Sequence, residues 1–215
     1  MRLRRLTMVV LGALAVFSFA YIVAALYIDN VEHPTYRTVV RDGDIEVRSY
    51  GPMVAAEVTM RGTRREAVNR GFSPLASYIF AKGRGGDAVA MTAPVTQVAR
   101  EPIAMTAPVT QSRGVGDGEW TVRFLMPAKY SLASLPVPAN QAVTLTKTDG
   151  VKRAVIRFTG RASDAKVATK EDELRAWVQE RGLKVSGAAT YAYYNSPFTP
   201  WFMRRNEIML DLTKD

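Results

Sequence analysis

The chain contains one histidine and no cysteine, which narrows the chemistry it can carry. His33 is the sole imidazole, and it has two readings. It can serve as an axial ligand to a haem iron, or it can be an exposed residue of a linker. A Ser-His-Asp triad is disfavoured, because His33 follows closely on a long apolar segment. Without cysteine there is no disulfide framework, zinc-thiolate site, iron–sulfur cluster or covalently attached haem. A zinc site would have to be built mainly of carboxylates, and none cluster at ligand spacing. The closest carboxylates are Asp42/Asp44 and Glu171/Asp172/Glu173. They read as a turn and a helix start rather than an acid/base pair. Gly83-Arg84-Gly85-Gly86 lacks the Lys-Ser/Thr of a phosphate loop and reads as a helix stop. Met91 and Met105 offer thioethers to haem or copper, or fill core gaps. No metal site is expected from this inventory.

The word AMTAPVTQ occurs twice, at Ala90–Gln97 and Ala104–Gln111. Neither copy has a histidine, a carboxylate or any other acid/base group. Each reads as a short apolar strand carrying a proline, and proline belongs at sheet edges or bulges. A hairpin or extended loop of duplicated strands is expected, with a structural role.

Several elements must position these residues. Asp44–Pro52 alternates as a half-buried strand ending in a Gly-Pro turn, and Met53–Met60 reads as a second strand. Thr63 and Glu66 form a capping box. Ala67, Val68, Gly71, Phe72, Leu75, Tyr78 and Ile79 then trace the apolar face of a helix ending near Lys82-Gly83, with Pro74 expected to kink it. Further strands are expected at Glu119–Met126, Ala142–Thr148, Lys152–Phe158, Ala188–Tyr194 and Asn206–Leu212. A second helix is expected over Thr169–Arg181, capped from Thr169 and stopped by Gly182. Strands–helix–strands, twice over, indicates an α+β fold of two similar halves with a mostly antiparallel sheet or barrel.

The chain begins differently. Met8–Ile28 is a run of 21 uncharged residues, preceded by Arg2, Arg4 and Arg5. As a helix it would span roughly 30 Å, the thickness of a bilayer core. The arginines place the N-terminus in the cytoplasm and everything from Asp29 onward outside, on the periplasmic side. An uncleaved signal anchor suits the length of the run. A cleaved signal peptide, cut after Ala20 or Ala25, and a buried soluble helix are the other readings. The expected division is a segment 1–28 and a domain 29–215. The net charge is +9, and the remaining Lys and Arg are scattered in runs of at most two. That distribution and the lack of a recognisable motif argue against a nucleic-acid partner.

The motifs IEVRSYGP (45–52), GFSPLASYIFAKGR (71–84), IAMTAPVTQ (103–111), FLMPAKYSLASLPVP (124–138) and YYNSPFTPWFMRRNEIML (193–210) occur in an order that resembles the SOUL haem-binding protein family. The resemblance covers roughly Glu32 to Leu212. It implies two βαββ-type halves in a distorted antiparallel barrel or sheet flanked by two helices. It also implies a non-enzymatic ligand class, haem and related tetrapyrroles, for buffering, delivery or scavenging. The family's haem surface, carried onto the first helix, comprises Arg65, Asn69, Phe72, Ala76 and Ser77. Phe72 would form the apolar bed, and Arg65, Lys82 and Arg84 would meet the propionates. Some members carry a histidine where this chain has Ser49. Axial ligation is then either weak or supplied by His33. The alternative implication is a retained fold that binds another apolar ligand or a protein partner, with haem binding lost.

Overall fold

The structure, a computed structural model, describes residues 32–80, 106–114, 116, 118–195 and 199–213. The apolar run 8–28, the first AMTAPVTQ, Lys82, Arg84, the Gly83–Gly86 stretch, Met91 and Met105 lie outside them. Among the described residues no helix is long and apolar enough to cross a membrane.

Among the described residues nine strands form one sheet: β1 (Tyr36–Asp42), β2 (Ile45–Tyr50), β3 (Met53–Arg61), β4 (Val109–Arg113), β5 (Glu119–Leu125), β6 (Thr144–Thr148), β7 (Val151–Thr159), β8 (Val185–Tyr193) and β9 (Arg205–Leu212). Helix α1 (Arg64–Ile79) follows β3, and helix α2 (Asp164–Glu180) follows β7. The strand order is β1-β2-β7-β9-β8-β4-β5-β3-β6, and every ladder between these strands is antiparallel.

This order corrects the expected halves. Each is ββαββ rather than βαββ: β2-β3-α1-β4-β5 and β6-β7-α2-β8-β9. Each half also lends its first strand to the other, because β2 pairs with β7 and β6 pairs with β3. Reversing the order of the eight strands β2 to β6 exchanges the halves, so the sheet has pseudo-twofold symmetry about the β8–β4 seam. The sheet is not a closed barrel, since β1 and β6 remain edges. It does curl. Residues from all of β2 to β9 line a single cavity of about 330 Å³, which strands spaced about 4.8 Å apart in a flat sheet could not do. Strand β1 was not expected. Its residues are exposed throughout, so it carries no alternation to read.

Both helices lie on the same face. Strand β5 alternates so that Trp120, Val122 and Phe124 are buried, and Val122 and Phe124 pack with Leu75, Tyr78 and Ile79 of α1. On β7, Ala154, Ile156 and Phe158 pack with Leu174, Trp177 and Val178 of α2. Each fully buried Leu or Ile in these layers contributes about 1.5–3 kcal/mol. The helix starts are tied together by Arg64, which donates to Tyr193 Oη, to the Ala162 carbonyl and to Asp164.

Helix α1 begins at the expected capping box. Glu66 N donates to Thr63 Oγ1 at 3.3 Å, and Thr63 N donates to Glu66 Oε2 at 2.9 Å. Pro74 does not divide it into two elements. The carbonyl that proline leaves without a partner belongs to Arg70, an exposed position that water reaches. Helix α2 starts five residues earlier than expected. Ser163 caps it by accepting from Lys166 N, and Thr169 instead donates to the Ala165 carbonyl within the helix. Two capping signals compete in that segment, and the earlier one prevails because Val167 then reaches the core.

The opposite face carries charge. Arg48 and Glu207 are 2 % and 1 % exposed, and two guanidinium nitrogens of Arg48 reach the two Glu207 carboxylate oxygens at 2.9 and 3.1 Å. Arg205 donates to Glu207 Oε1 at 2.6 Å, and the Tyr194 hydroxyl donates to Oε2. Burial works to raise the Glu207 pKa, but the Arg48 hydrogen bonds and charge, with Tyr194 and Arg205, outweigh it and hold it below the usual carboxylate range. Arg123–Glu57 and Arg153–Asp211 pair across strands on this same face.

Alanine at 71 would put its Cβ 2.9 Å from Val122 Cγ2 and 3.1 Å from Val58 Cγ2, both stiff buried side chains. Gly71→Ala should therefore lower stability by about 1–3 kcal/mol in a denaturant titration, although alanine is the better helix former. Glu207→Ala strips buried Arg48 of its two-point partner, leaving it Glu46 alone, and takes from Arg205 the carboxylate it pairs with; it should cost about 3–5 kcal/mol, much of it recovered in Arg48→Met/Glu207→Leu. A carboxylate with a depressed folded pKa stabilises above its unfolded value of about 4.3, and that stability is lost as pH falls through the folded value. Glu207→Gln should accordingly flatten the acid limb of the stability curve below about pH 4.3.

Candidate functional site

The described residues form an apolar recess away from α1. It is a cleft of about 480 Å³ where the chain enters the fold, walled by Glu32–Thr35, the Gly51–Val54 turn, Thr106, Leu125–Ala128, Tyr130–Ala133 and Lys147. That volume falls within the range of about 300–1,000 Å³ typical of small-molecule sites.

Three local arrangements build it. The Gly51-Pro52 turn carries the chain from the end of β2 to Met53 of β3, because proline cannot continue the ladder. After β5, Met126 N donates to the Val54 carbonyl, and Pro127 starts a turn closed by Tyr130 N at 3.0 Å. The entering segment is pinned at Glu32. Its carbonyl accepts from Ala107 N at 2.9 Å, and its Oε1 accepts from Ala128 N at 2.8 Å.

His33 sits on this pinned segment. Its Nδ1 lies 3.3 Å from the Ala107 carbonyl, an acceptor only, so Nδ1 carries the proton. That tautomer leaves the lone pair on Nε2. A ring N–H held by a backbone carbonyl is the usual support of a metal-ligating histidine. The ring also packs against Tyr194, with centroids 5.7 Å apart. Tyr194 is fixed in turn by Glu207, and burial followed by the Glu207 charge pushes its pKa up, so its hydroxyl keeps the proton it donates.

The helix residues implied by the resemblance are placed differently. Arg65, Asn69, Phe72 and Ala76 recur along one stripe of α1 at the edge of its buried face: Arg65 and Asn69 are exposed, and Ala76 packs against the core. Phe72 is 40 % exposed, and its ring meets Phe124 edge-on at 5.2 Å. Ser77 does not join the stripe. It lines a small hollow with Pro74, Tyr78 and Pro138–Asn140. No α1 residue lines the cleft at His33. Phe124 and Leu125 are neighbours on β5, yet Phe124 faces α1 and Leu125 faces the cleft. Phe72 and His33 therefore belong to two surfaces, and one flat ligand cannot use both. Ser49 shares its parity with Ile45 and Val47, which pack under α2, and it does not line the cleft.

Asp42, Glu171 and Glu173, among the carboxylates set aside in the sequence, have structural partners. Asp42 accepts from Trp177 Nε1 at 2.8 Å and pairs with Arg181, and Glu171 accepts from the Tyr191 hydroxyl at 2.7 Å. Among the described residues no group of three His, Asp or Glu could hold a metal ion. In the second AMTAPVTQ, Val109–Gln111 enter β4 and Pro108 lies just before it, after a cis Ala107–Pro108 peptide. Gln111 is buried and donates to the Arg64 carbonyl at 2.7 Å, tying β4 to the first turn of α1. Sequence reasoning missed Met53, Leu125, Met126, Tyr130, Leu132 and Lys147 as site residues. The signal was the mixture in LMPAKYSLA, apolar yet without helix or strand period.

The SOUL heme-binding protein family matches residues 31–211, which takes in both halves of the sheet and the cleft. The chain belongs to the SOUL family. Haem and related tetrapyrroles are thereby its ligand class. No curated protein matches the chain. Among solved structures, the fold is similar to the C-terminal domain of EcmrR, at 9 % identity over 84 % of this chain and 99 % of that one, with a TM-score of 0.56. It is also similar to a hydrolase from Listeria innocua, at 13 % identity over 81 % and 94 % of the two chains, TM-score 0.51. An uncharacterized conserved protein from Listeria innocua is 14 % identical over 79 % and 92 %, TM-score 0.51. At such identities the likeness concerns the fold.

The donor set suits the family's ligand. Leu125, Met126, Tyr130, Leu132 and Val54 line the cleft with apolar surface, and His33 and Lys147 line it beside them. Because Tyr194 supports the His33 ring, Tyr194→Ala should loosen that ring. The check is the His33 Cε1–H resonance in NMR, which should move while the signals of α1 residues stay in place.

Proposed function

We propose that this SOUL protein is a non-enzymatic haem or tetrapyrrole binder, tethered to the membrane through residues 8–28, with its domain on the extracytoplasmic side. Its binding site is the cleft at His33 rather than the α1 stripe. One observation carries this reading: His33 lies on the cleft wall with Nδ1–H held by the Ala107 carbonyl, the tautomer that leaves Nε2 able to ligate. The bound haem would supply an iron that takes an imidazole ligand. The chain's own residues exclude water from the macrocycle with Leu125, Met126 and Leu132, and offer Lys147 to a propionate. A role in buffering, delivery or scavenging needs no proton transfer at the site.

The test is a hemin titration of the full-length chain in detergent micelles, followed by its Soret band. Saturable one-to-one binding with the spectrum of a histidine-ligated haem is expected. His33→Ala should lose that spectrum and bind at least about tenfold more weakly, the least that losing even a supporting partner costs at a metal site. Phe72→Asp should bind as the wild type does. Loss of binding in Phe72→Asp with full retention in His33→Ala would move the site to α1 and overturn the assignment. Absence of saturable binding in the wild type would favour another apolar ligand or a protein partner for the same fold.

A further inference from the structure

The connection between β8 and β9 carries Trp201, Phe202 and Met203 in a single 3-10 turn. These three consecutive apolar residues are 53 %, 61 % and 45 % exposed. They stand on a well-held backbone. Met203 N donates to the Pro200 carbonyl at 2.9 Å, Arg204 Nε donates to the Thr199 carbonyl at 2.9 Å, and Gly160 N donates to the Arg204 carbonyl at 3.0 Å. Asn206 closes the base through the Gly160 carbonyl at 2.9 Å. The rings of Trp201 and Phe202 meet at 90°. Burial on the chain's own core is thus unavailable to them, and their exposure is a property of the folded scaffold.

An open hollow of about 610 Å³ adjoins the turn, lined by Thr159, Gly160, Arg161, Lys166, Trp201 and Phe202. Its charge is positive. The Arg161 guanidinium lies 5.8 Å from the Trp201 ring centroid, and Lys166 Nζ donates to the Thr159 carbonyl. Asp164, the acidic residue between them, is turned to Arg64. Among the described residues neither Arg161 nor Lys166 has a carboxylate partner. Aromatic rings with a polar edge beside cations form the pattern that settles at a bilayer interface with anionic headgroups.

Placement gives the second argument. Glu32 is bonded to Ala107, and two residues later Val109 pairs with Tyr193, the last residue of β8. His33 packs on Tyr194, where the β8–β9 connection begins. The chain therefore enters the described fold beside the connection that holds Trp201. Only residues 29–31 separate that entry from the apolar run 8–28. A tether of that length brings this end of the sheet, and the cations with it, to the membrane surface.

We infer that Trp201, Phe202 and Met203, with Arg161 and Lys166, form a membrane-contact surface that docks the domain on an anionic bilayer. The inference rests on the membrane placement proposed above. Docking fixes the orientation of the domain and sets the cleft at His33 close to the lipid, the phase in which apolar tetrapyrroles dissolve.

The chain has three tryptophans, none of them in the run 8–28, and Trp120 and Trp177 are buried. Lipid quenching of tryptophan emission therefore reports on Trp201. Full-length protein would be reconstituted into vesicles of dibrominated phosphatidylcholine, with and without phosphatidylglycerol, and assayed by emission and by flotation. The expected result is co-flotation with both vesicles and quenching that is stronger with phosphatidylglycerol. Trp201→Phe should abolish the quenching and leave flotation intact. Arg161→Gln/Lys166→Gln should reduce quenching to the level seen with phosphatidylcholine alone. Co-flotation without quenching would overturn the docking surface while sparing the tether, and would leave the patch to an acidic protein partner. Flotation only with phosphatidylglycerol, lost in Arg161→Gln/Lys166→Gln, would support the surface and sink the tether.

Discussion

The buried pair Arg48–Glu207 is the constraint on which most of this molecule depends. A carboxylate with no solvent exposure is tolerated only when its oxygens are filled, and here Arg48, Arg205 and Tyr194 fill them. Arg48 comes from β2, Glu207 and Arg205 from β9, and Tyr194 from the end of β8. The pair therefore ties β2, the strand that the first half lends, to β9 of the second half. It also reaches the site. Glu207 orients Tyr194, Tyr194 supports the His33 ring, and the Ala107 carbonyl sets its tautomer. A charge that costs several kcal/mol to bury is retained here where it ties β2 to β9 and orients Tyr194.

Strand exchange explains why the sheet offers two distinct surfaces. Because β2 leaves the first half to lie beside β7, the Gly51-Pro52 turn must cross from one half to the other. That crossing, the entering segment and the stretch after β5 leave a recess between them. Both helices occupy the opposite face, where the alternating residues of β5 and β7 bury them. The flank of α1 and the cleft at His33 are consequently separated by the thickness of the sheet. A ligand surface inferred from the helix alone does not include the histidine.

Much of this was legible in the chain. The capping box Thr63/Glu66, most of the apolar face of α1 and the strand runs of β5 and β7 are local patterns, and each formed close to where it was expected. The two-half organisation was readable as strands–helix–strands repeated. What was hidden is non-local. Nothing in IEVRSY states that its partner is β7 rather than β3, and β1, exposed on every residue, has no pattern at all. The start of α2 was misread because Ser163 and Thr169 both look like caps and only packing of Val167 decides between them. His33 was legible as a possible axial ligand but its surroundings were not, since the Ala107 carbonyl that sets its tautomer lies 74 positions away. The wall from Leu125 to Ala133 follows no period, and only its fold makes it a surface.

The account turns on which surface meets the tetrapyrrole. The most direct measurement is paramagnetic broadening of backbone amide signals by hemin in the isotopically labelled full-length protein. The cleft assignment predicts that signals of His33, Thr35, Met53, Val54, Ala128 and Leu132 vanish first, while those of Asn69, Phe72 and Ala76 persist. Early loss of the α1 signals with the cleft signals intact would contradict it.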